Sequence, residues 1–253
     1  MSLHTLLNGE LAPCRAQLYA GHRPGALPLA TLADGSHLPD ALLALARDYA
    51  GAPRRAQVSQ WAKHYFRLLL PPAIAAALLG LQLPLALERV GLRFDEHGLP
   101  GELELDHLGT PAPHDSLAER YQPLLWQHLA PLIDRLAEHG KLSRRVLWNS
   151  AGNLIEHLLR HFADEGHPEA QAHADWLLGS RRLADGAANP LWQPVHYVDS
   201  FLPQVSSPVR LRRLCCLRYE LPGEVCCATC PLLPNKPEEE LYALLDRWRA
   251  AKA

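Results

Sequence analysis

RLRRLCCLRYELPGEVCCATCP, residues 210–231, gathers five of the six cysteines of the chain within sixteen residues. Cys227 and Cys230 form a C-x2-C pair, whose spacing lets two thiolates turn onto one metal, as in zinc and iron–sulfur sites. Cys215 and Cys216 are adjacent, a much rarer arrangement. Neighbouring residues on a strand point to opposite faces, so both sulfurs serve one iron only where the backbone bends sharply. Tyr219 to Val225, centred on Pro222-Gly223, reads as a turn that returns the second cysteine pair towards the first. The rest of the chain then reads as a scaffold around this segment.

Working outward, Asp185 to Pro208 is rich in Gly, Pro, Ser and Asn and reads as a linker, with His196 to Val198 extended. On the other side, Pro237 to Ala251 closes the chain as an amphipathic helix through Leu241, Leu244, Leu245 and Trp248. Upstream, residues 1–38 lack periodicity and read as an irregular lead. Helical spacing then returns over Pro39 to Ala50 and Arg54 to Leu70, and Pro71-Pro72 is read as the start of a separate apolar helix, Ala73 to Leu81. Leu85 to Phe94, the turn at residues 95–98 and Gly101 to Asp106 form a hairpin, in which Leu103 and Leu105 alternate with outward Glu102 and Glu104. Helices follow over Asp115 to Glu138, Ser143 to Ala163 and Pro168 to Arg182. The fold class is α+β, mainly α-helical, with a small β-hairpin and a C-terminal cysteine-rich metal-binding segment.

A chain of 253 residues with a formal charge of −2 and 48% hydrophobic residues can bury a sizeable core without disulfides and carries no nucleic-acid footprint. The start of the chain has no basic stretch followed by an apolar run, which argues against a cleaved leader, and Cys14 reads as an ordinary cysteine. Leu68 to Leu83 is short of the ~20 apolar residues of a spanning helix. Thiols of a cytosolic chain stay reduced, which favours metal ligation over disulfides. His157 and His161 lie four apart but lack the H-E-x-x-H order, so they read as ordinary helix histidines. Trp61, Tyr65, Trp126, Trp148 and Trp176 recur with leucines at helical spacing and read as core. No phosphate loop, dinucleotide fingerprint or nucleophile elbow occurs.

The order C-C-x10-C-x2-C, with Arg212, Cys215, Cys216, Leu217, Tyr219, Cys227, Cys230, Pro231 and Leu232 in the pattern R-x-x-C-C-L-x-Y followed by C-x-x-C-P-L, resembles the C-terminal iron–sulfur segment of the FhuF-like ferric siderophore reductases. A weaker likeness runs through WAKHYFRLLLPP and EHGLPGELEL, so the resemblance covers most of residues 50–235. It implies a [2Fe-2S] cluster on Cys215, Cys216, Cys227 and Cys230, and one-electron reduction of Fe(III) in a hydroxamate-type siderophore so that Fe(II) is released in the cytoplasm. The partners implied are the ferric siderophore and a separate electron donor, with peripheral contact at the inner membrane left open. Residues 1–205 become a helical siderophore-binding domain, and 206–253 the cluster segment with its closing helix. The additional Cys226 departs from the pattern. Cys227 is preferred as the ligand because it keeps C-x2-C and ten residues after Cys216, and C-x2-C is expected to place Cys227 and Cys230 on one iron.

Arg210, Arg212, Arg213 and Arg218 crowd the cysteines. Four thiolates on an oxidised [2Fe-2S] core leave a net charge of −2, and reduction makes it −3, so these cations are candidates for favouring the reduced state. Two rival readings stay open: a plain iron–sulfur electron carrier, and a zinc-containing siderophore-binding or synthetase-related protein.

Overall fold

The computed structural model describes residues 3–112, 116–183 and 185–250. Met1, Ser2, the expected helix start at Asp115 and the expected helix end at Ala251 lie outside the described residues. The fold is α+β and mainly helical.

The centre of the molecule is α1 (Arg54–Leu78), a 25-residue helix. Trp61, Tyr65, Phe66, Leu69, Leu70 and Ile74 on it are buried, with Trp61 and Tyr65 stacked 5.5 Å apart. Pro71 and Pro72 do not divide it, contrary to the expected break. Each proline removes one backbone donor and crowds the carbonyl four residues earlier, at a cost of about 3 kcal/mol. Residues 68–78 are buried on every face, and this burial outweighs that loss.

Short strands flank the helix. They are β1 (Leu18–Ala20), β2 (Leu27–Pro28), β3 (Leu81–Gln82), β4 (Val90–Phe94), β5 (Pro100–Leu105) and β6 (Thr110–Pro111). The expected hairpin is β4–β5, and the irregular lead extends it to a four-stranded sheet in the order β1-β5-β4-β2, with β1 parallel to β5. This added cover corrects the reading of Glu104 as outward. Its side chain is fully buried and accepts from the Arg23 backbone N–H (2.8 Å), Arg23 Nε (2.7 Å) and Arg93 Nε (2.6 Å). Two guanidinium groups satisfy a carboxylate that alternation alone would have put in water.

Helix α2 runs through Leu117–Gln122, a π-helical stretch Pro123–Leu129, and Ala130–Gly140. Ser116 caps its start and Lys141, in the left-handed conformation, ends it. The α3 helix (Arg144–Asp164) is capped by Ser143, whose hydroxyl accepts from the Arg145 N–H, and α4 (Glu169–Ala174) follows. Trp61 and Trp148 are core and Trp176 is half-buried, but Trp126 is exposed, because it lies on the outer side of the π-helical stretch. The linker contains β7 (Val195–Val198), paired antiparallel with β8 (Val209–Arg212), and α5 (Glu238–Ala250) closes the chain. Two apolar clusters result, one drawn from residues between Leu3 and Leu191 and a smaller one between Leu202 and Leu244. No helix among the described residues is long and apolar enough to cross a membrane.

Candidate metal centre

Strand β8 delivers the chain to Cys215 and Cys216, and the turn at residues 218–224 brings Cys227 and Cys230 back against them. Two sulfur pairs result. Cys215 Sγ lies 3.9 Å from Cys230 Sγ, and Cys216 Sγ lies 3.7 Å from Cys227 Sγ. These separations are far beyond a disulfide's ~2.05 Å, and all the cysteines are free thiols. They match the ~3.8 Å that a tetrahedral metal with metal–sulfur bonds of about 2.3 Å imposes on two thiolates. The two close contacts join Cys215 to Cys230 and Cys216 to Cys227, and Cys227 also interacts with Cys230, the grouping expected from C-x2-C.

Local backbone chemistry shapes the segment. The chain turns just after the adjacent cysteines, where Leu217 has φ of 60°, in the left-handed region that costs an L-residue roughly 1–2 kcal/mol, and the Leu217 N–H points at Cys215 Sγ (3.4 Å). The Cys230 N–H returns to the Cys227 carbonyl (2.9 Å), closing the C-x2-C turn.

Two helices hold the segment from outside. On α1, Ser59 Oγ and Gln60 Nε2 both donate to the Cys216 carbonyl (2.9 and 2.5 Å), and Arg55 pairs through two nitrogens with Glu220 (2.8 and 3.0 Å). On α3, buried Asn149 donates to the Pro194 carbonyl (2.7 Å) and accepts from the Leu214 N–H (3.0 Å). Gly152 admits the Pro194 ring, since a Cβ there would come within 2.9 Å of it. Just before α1, Tyr49 donates to Glu224 (3.0 Å).

The four arginines separate in role. Arg210 is bound to Glu156 and to Asn153, Arg213 to Gln193, and Arg218 to Glu224. Arg212 alone among them is buried against the sulfurs, with its Nε lacking a hydrogen-bond partner among the described residues. A second cation also faces the sulfurs, and it was not anticipated from the sequence. Lys63 Nζ lies 3.7 Å from Cys216 Sγ and 3.0 Å from Gln60 Oε1. Burial lowers its pKa, and the Cys216 and Cys227 sulfurs oppose that shift. The signal for it was present as a polar stripe, Ser59, Gln60, Lys63 and Arg67, at helical spacing on an otherwise apolar helix.

The thiols share protons unequally. A hydrogen bond with Cys230 brings Cys215 down to about 7, and hydrogen bonds with Cys216 and then Cys230 hold Cys227 well below the ordinary thiol range. Cys216 and Cys230, the corresponding donors, are pushed up. Cys226 is buried in the second apolar cluster, which also takes in Cys230; Trp248 Nε1 donates to its carbonyl (2.9 Å), and the two close sulfur contacts do not include it. His157 is exposed beside Arg160, outside the cysteine segment.

Residues 59–200 match the family model described as ferric iron reductase FhuF-like transporter, and residues 212–232 match the FhuF 2Fe-2S C-terminal domain. The chain belongs to the FhuF-like family. The cofactor of its C-terminal segment is therefore a [2Fe-2S] cluster. The FhuF-like chain is also similar to a protein named ferric siderophore reductase from Escherichia coli (strain K12), at 30% identity over 181 residues, which are 69% of this chain and 65% of that protein. The match thus spans slightly less than two thirds of the relative's length. The donor set fits the cofactor, because a [2Fe-2S] cluster takes two thiolates on each of two irons. Among the described residues no group of three or more His, Cys, Asp or Glu is arranged for a single metal ion. A centre built from two sulfur pairs makes no such demand.

Proposed function

We propose that the FhuF-like chain is a siderophore-iron reductase, in which Cys215, Cys216, Cys227 and Cys230 hold the [2Fe-2S] cluster and 206–253 is the cluster-binding unit on a helical body, 1–205. The observation that carries this reading is the pair of sulfur separations, 3.7 and 3.9 Å, in a segment of the matching family type. When bound, such a cluster supplies one electron at a time. The residues around it set its environment and its access. Cys216 and Cys230 are buried, whereas Cys215 and Cys227 are partly exposed, with Tyr219 and Leu232 exposed beside them. A ferric chelate is held outside the chain at this edge, close enough for electron transfer without ligand exchange onto the protein.

The substrate is Fe(III) in a hydroxamate-type siderophore and the product is Fe(II), released in the cytoplasm. Hydroxamate oxygens are hard ligands that hold the ferrous ion less strongly. The balance is one electron lost by the reduced protein and one gained by the ferric ion. That electron comes from a separate one-electron donor. Anaerobic stopped-flow tests this directly, with dithionite-reduced protein mixed with a ferric hydroxamate and a ferrous trap. The expected result is recovery of oxidised-cluster absorbance together with trapped Fe(II). Cluster absorbance that stays bleached overturns the reductase reading and favours a plain electron carrier.

A further inference from the structure

The two halves of the centre have different surroundings. Around Cys216 and Cys227 stands Lys63, whose ammonium is 3.7 Å from Cys216 Sγ and interacts with Cys227 as well. Lys236, which has Cys226 and Cys230 in its field, is ion-paired with Glu240. Arg212 lies within electrostatic reach of both pairs and so does not distinguish them. Tyr219 has Cys215 and Cys230 in its field, and the cation beside it, Arg55, is paired with Glu220.

Resting on the reading of these four cysteines as the cluster ligands, we infer that Cys216 and Cys227 hold one iron and Cys215 and Cys230 the other, and that Lys63 is a positioning residue which places the added electron on the Cys216/Cys227 iron. An arriving electron makes one iron ferrous and leaves the other ferric. A cation beside one thiolate pair lowers the energy of negative charge there more than at the opposite pair. The pairing follows from the sulfur geometry, since Cys216 Sγ lies 3.7 Å from Cys227 Sγ and Cys215 Sγ lies 3.9 Å from Cys230 Sγ.

The test uses full-length protein loaded with isotopically enriched iron. Two irons and two sulfides per chain in the parent protein establish the underlying reading on their own, so its failure is seen before any variant is made. Mössbauer spectra of dithionite-reduced serine variants then assign the pairs. Serine supplies a harder ligand that disfavours ferrous iron, so Cys216→Ser and Cys227→Ser are expected to move the added electron to the other iron and replace the parent ferrous doublet, while Cys215→Ser and Cys230→Ser keep that ferrous doublet and alter the ferric one. Grouping of Cys227→Ser with Cys230→Ser, or of Cys215→Ser with Cys216→Ser, overturns the pairing.

Serine variants that load too little iron are replaced by a measurement on the four-cysteine protein. Lys63→Met is expected to disfavour reduction at least about tenfold, equivalent to 59 mV for one electron, and to change the ferrous doublet. Lys63→Arg is expected to stay within about threefold of the parent protein. A Lys63→Met midpoint equal to that of the parent, or an equal loss in Lys63→Arg, overturns the role of Lys63.

Discussion

Cys226 shows how a single residue in the cysteine segment is assigned by its neighbours. It sits one position from Cys227, a proposed ligand, yet it is outside the two close sulfur contacts and has Trp248 against its carbonyl. Cys226→Ser is expected to leave iron and sulfide content within error of the parent protein. A buried hydroxyl without a designed partner costs roughly 1–3 kcal/mol, so Tm should fall by about 2–10 °C for a chain of this size. Metal analysis and a thermal melt on the same sample check both halves. Loss of most iron would show that the ligand register is shifted by one residue. The left-handed Leu217 belongs to the same scale, because it turns the chain just after the adjacent cysteines and aims its N–H at Cys215 Sγ.

At the scale of elements, the cysteine segment is clamped between α1 and α3. Asn149 accepts from the Leu214 N–H, one residue before Cys215, and shares the Pro194 carbonyl with the Arg213 backbone N–H (2.9 Å). Asn149→Ala removes the partner of the Leu214 N–H while Arg213 still holds the Pro194 carbonyl, at a cost on the order of 1–3 kcal/mol. The expected outcome is a lower urea midpoint and slower iron reconstitution with the same final spectrum, followed by circular dichroism and by absorbance respectively. Among the elements, the long periodic helices and the β4–β5 hairpin were legible because an apolar face repeats at a fixed period. The uninterrupted α1 was not, since proline is a local signal and the burial that overrides it comes from α2, α3 and the sheet. Strands β1 and β2 were hidden for a similar reason. Segments of two and three residues carry no period, and their pairing partners lie far along the chain. The four clustered cysteines were legible from spacing alone, but their sulfur contacts were not, because these depend on how the turn at residues 218–224 returns the chain. Lys63, Ser59 and Gln60 stand more than 150 residues from Cys216, beyond any local pattern.

For the whole molecule, the response to acid is set in the core away from the sulfurs. His128 is fully buried between the Leu85 carbonyl, to which Nδ1 donates (2.6 Å), and the Tyr65 hydroxyl, which donates to Nε2. Burial brings its pKa down to about 4, and His173, beside Tyr121, is likewise brought down to about 4 by burial. An unfolded histidine titrates near 6.5, so between about pH 6.5 and 4 the unfolded chain binds protons that the folded chain refuses. Stability is therefore full above pH 6.5 and falls as the pH drops through this window, with His128 contributing on the order of 3 kcal/mol. Urea midpoints at pH 7.5 and pH 4.5, read by tryptophan fluorescence, should show this loss, and His128→Gln should remove about half of the slope. An equal slope in the variant would place the acid response elsewhere.

The distance along the chain between Lys63 and Cys216 also has a consequence in time. The two residues that meet at 3.7 Å are 153 positions apart, and at synthesis rates of about 5–20 residues per second the helix leaves the ribosome roughly 8–30 seconds before the thiols do. The cation and the two side chains that hold the Cys216 carbonyl are thus made first, and the sulfurs arrive last at a surface already shaped for them. The four clustered thiols can therefore act together only once residues 215–230 have been made, after the groups on α1 that face them.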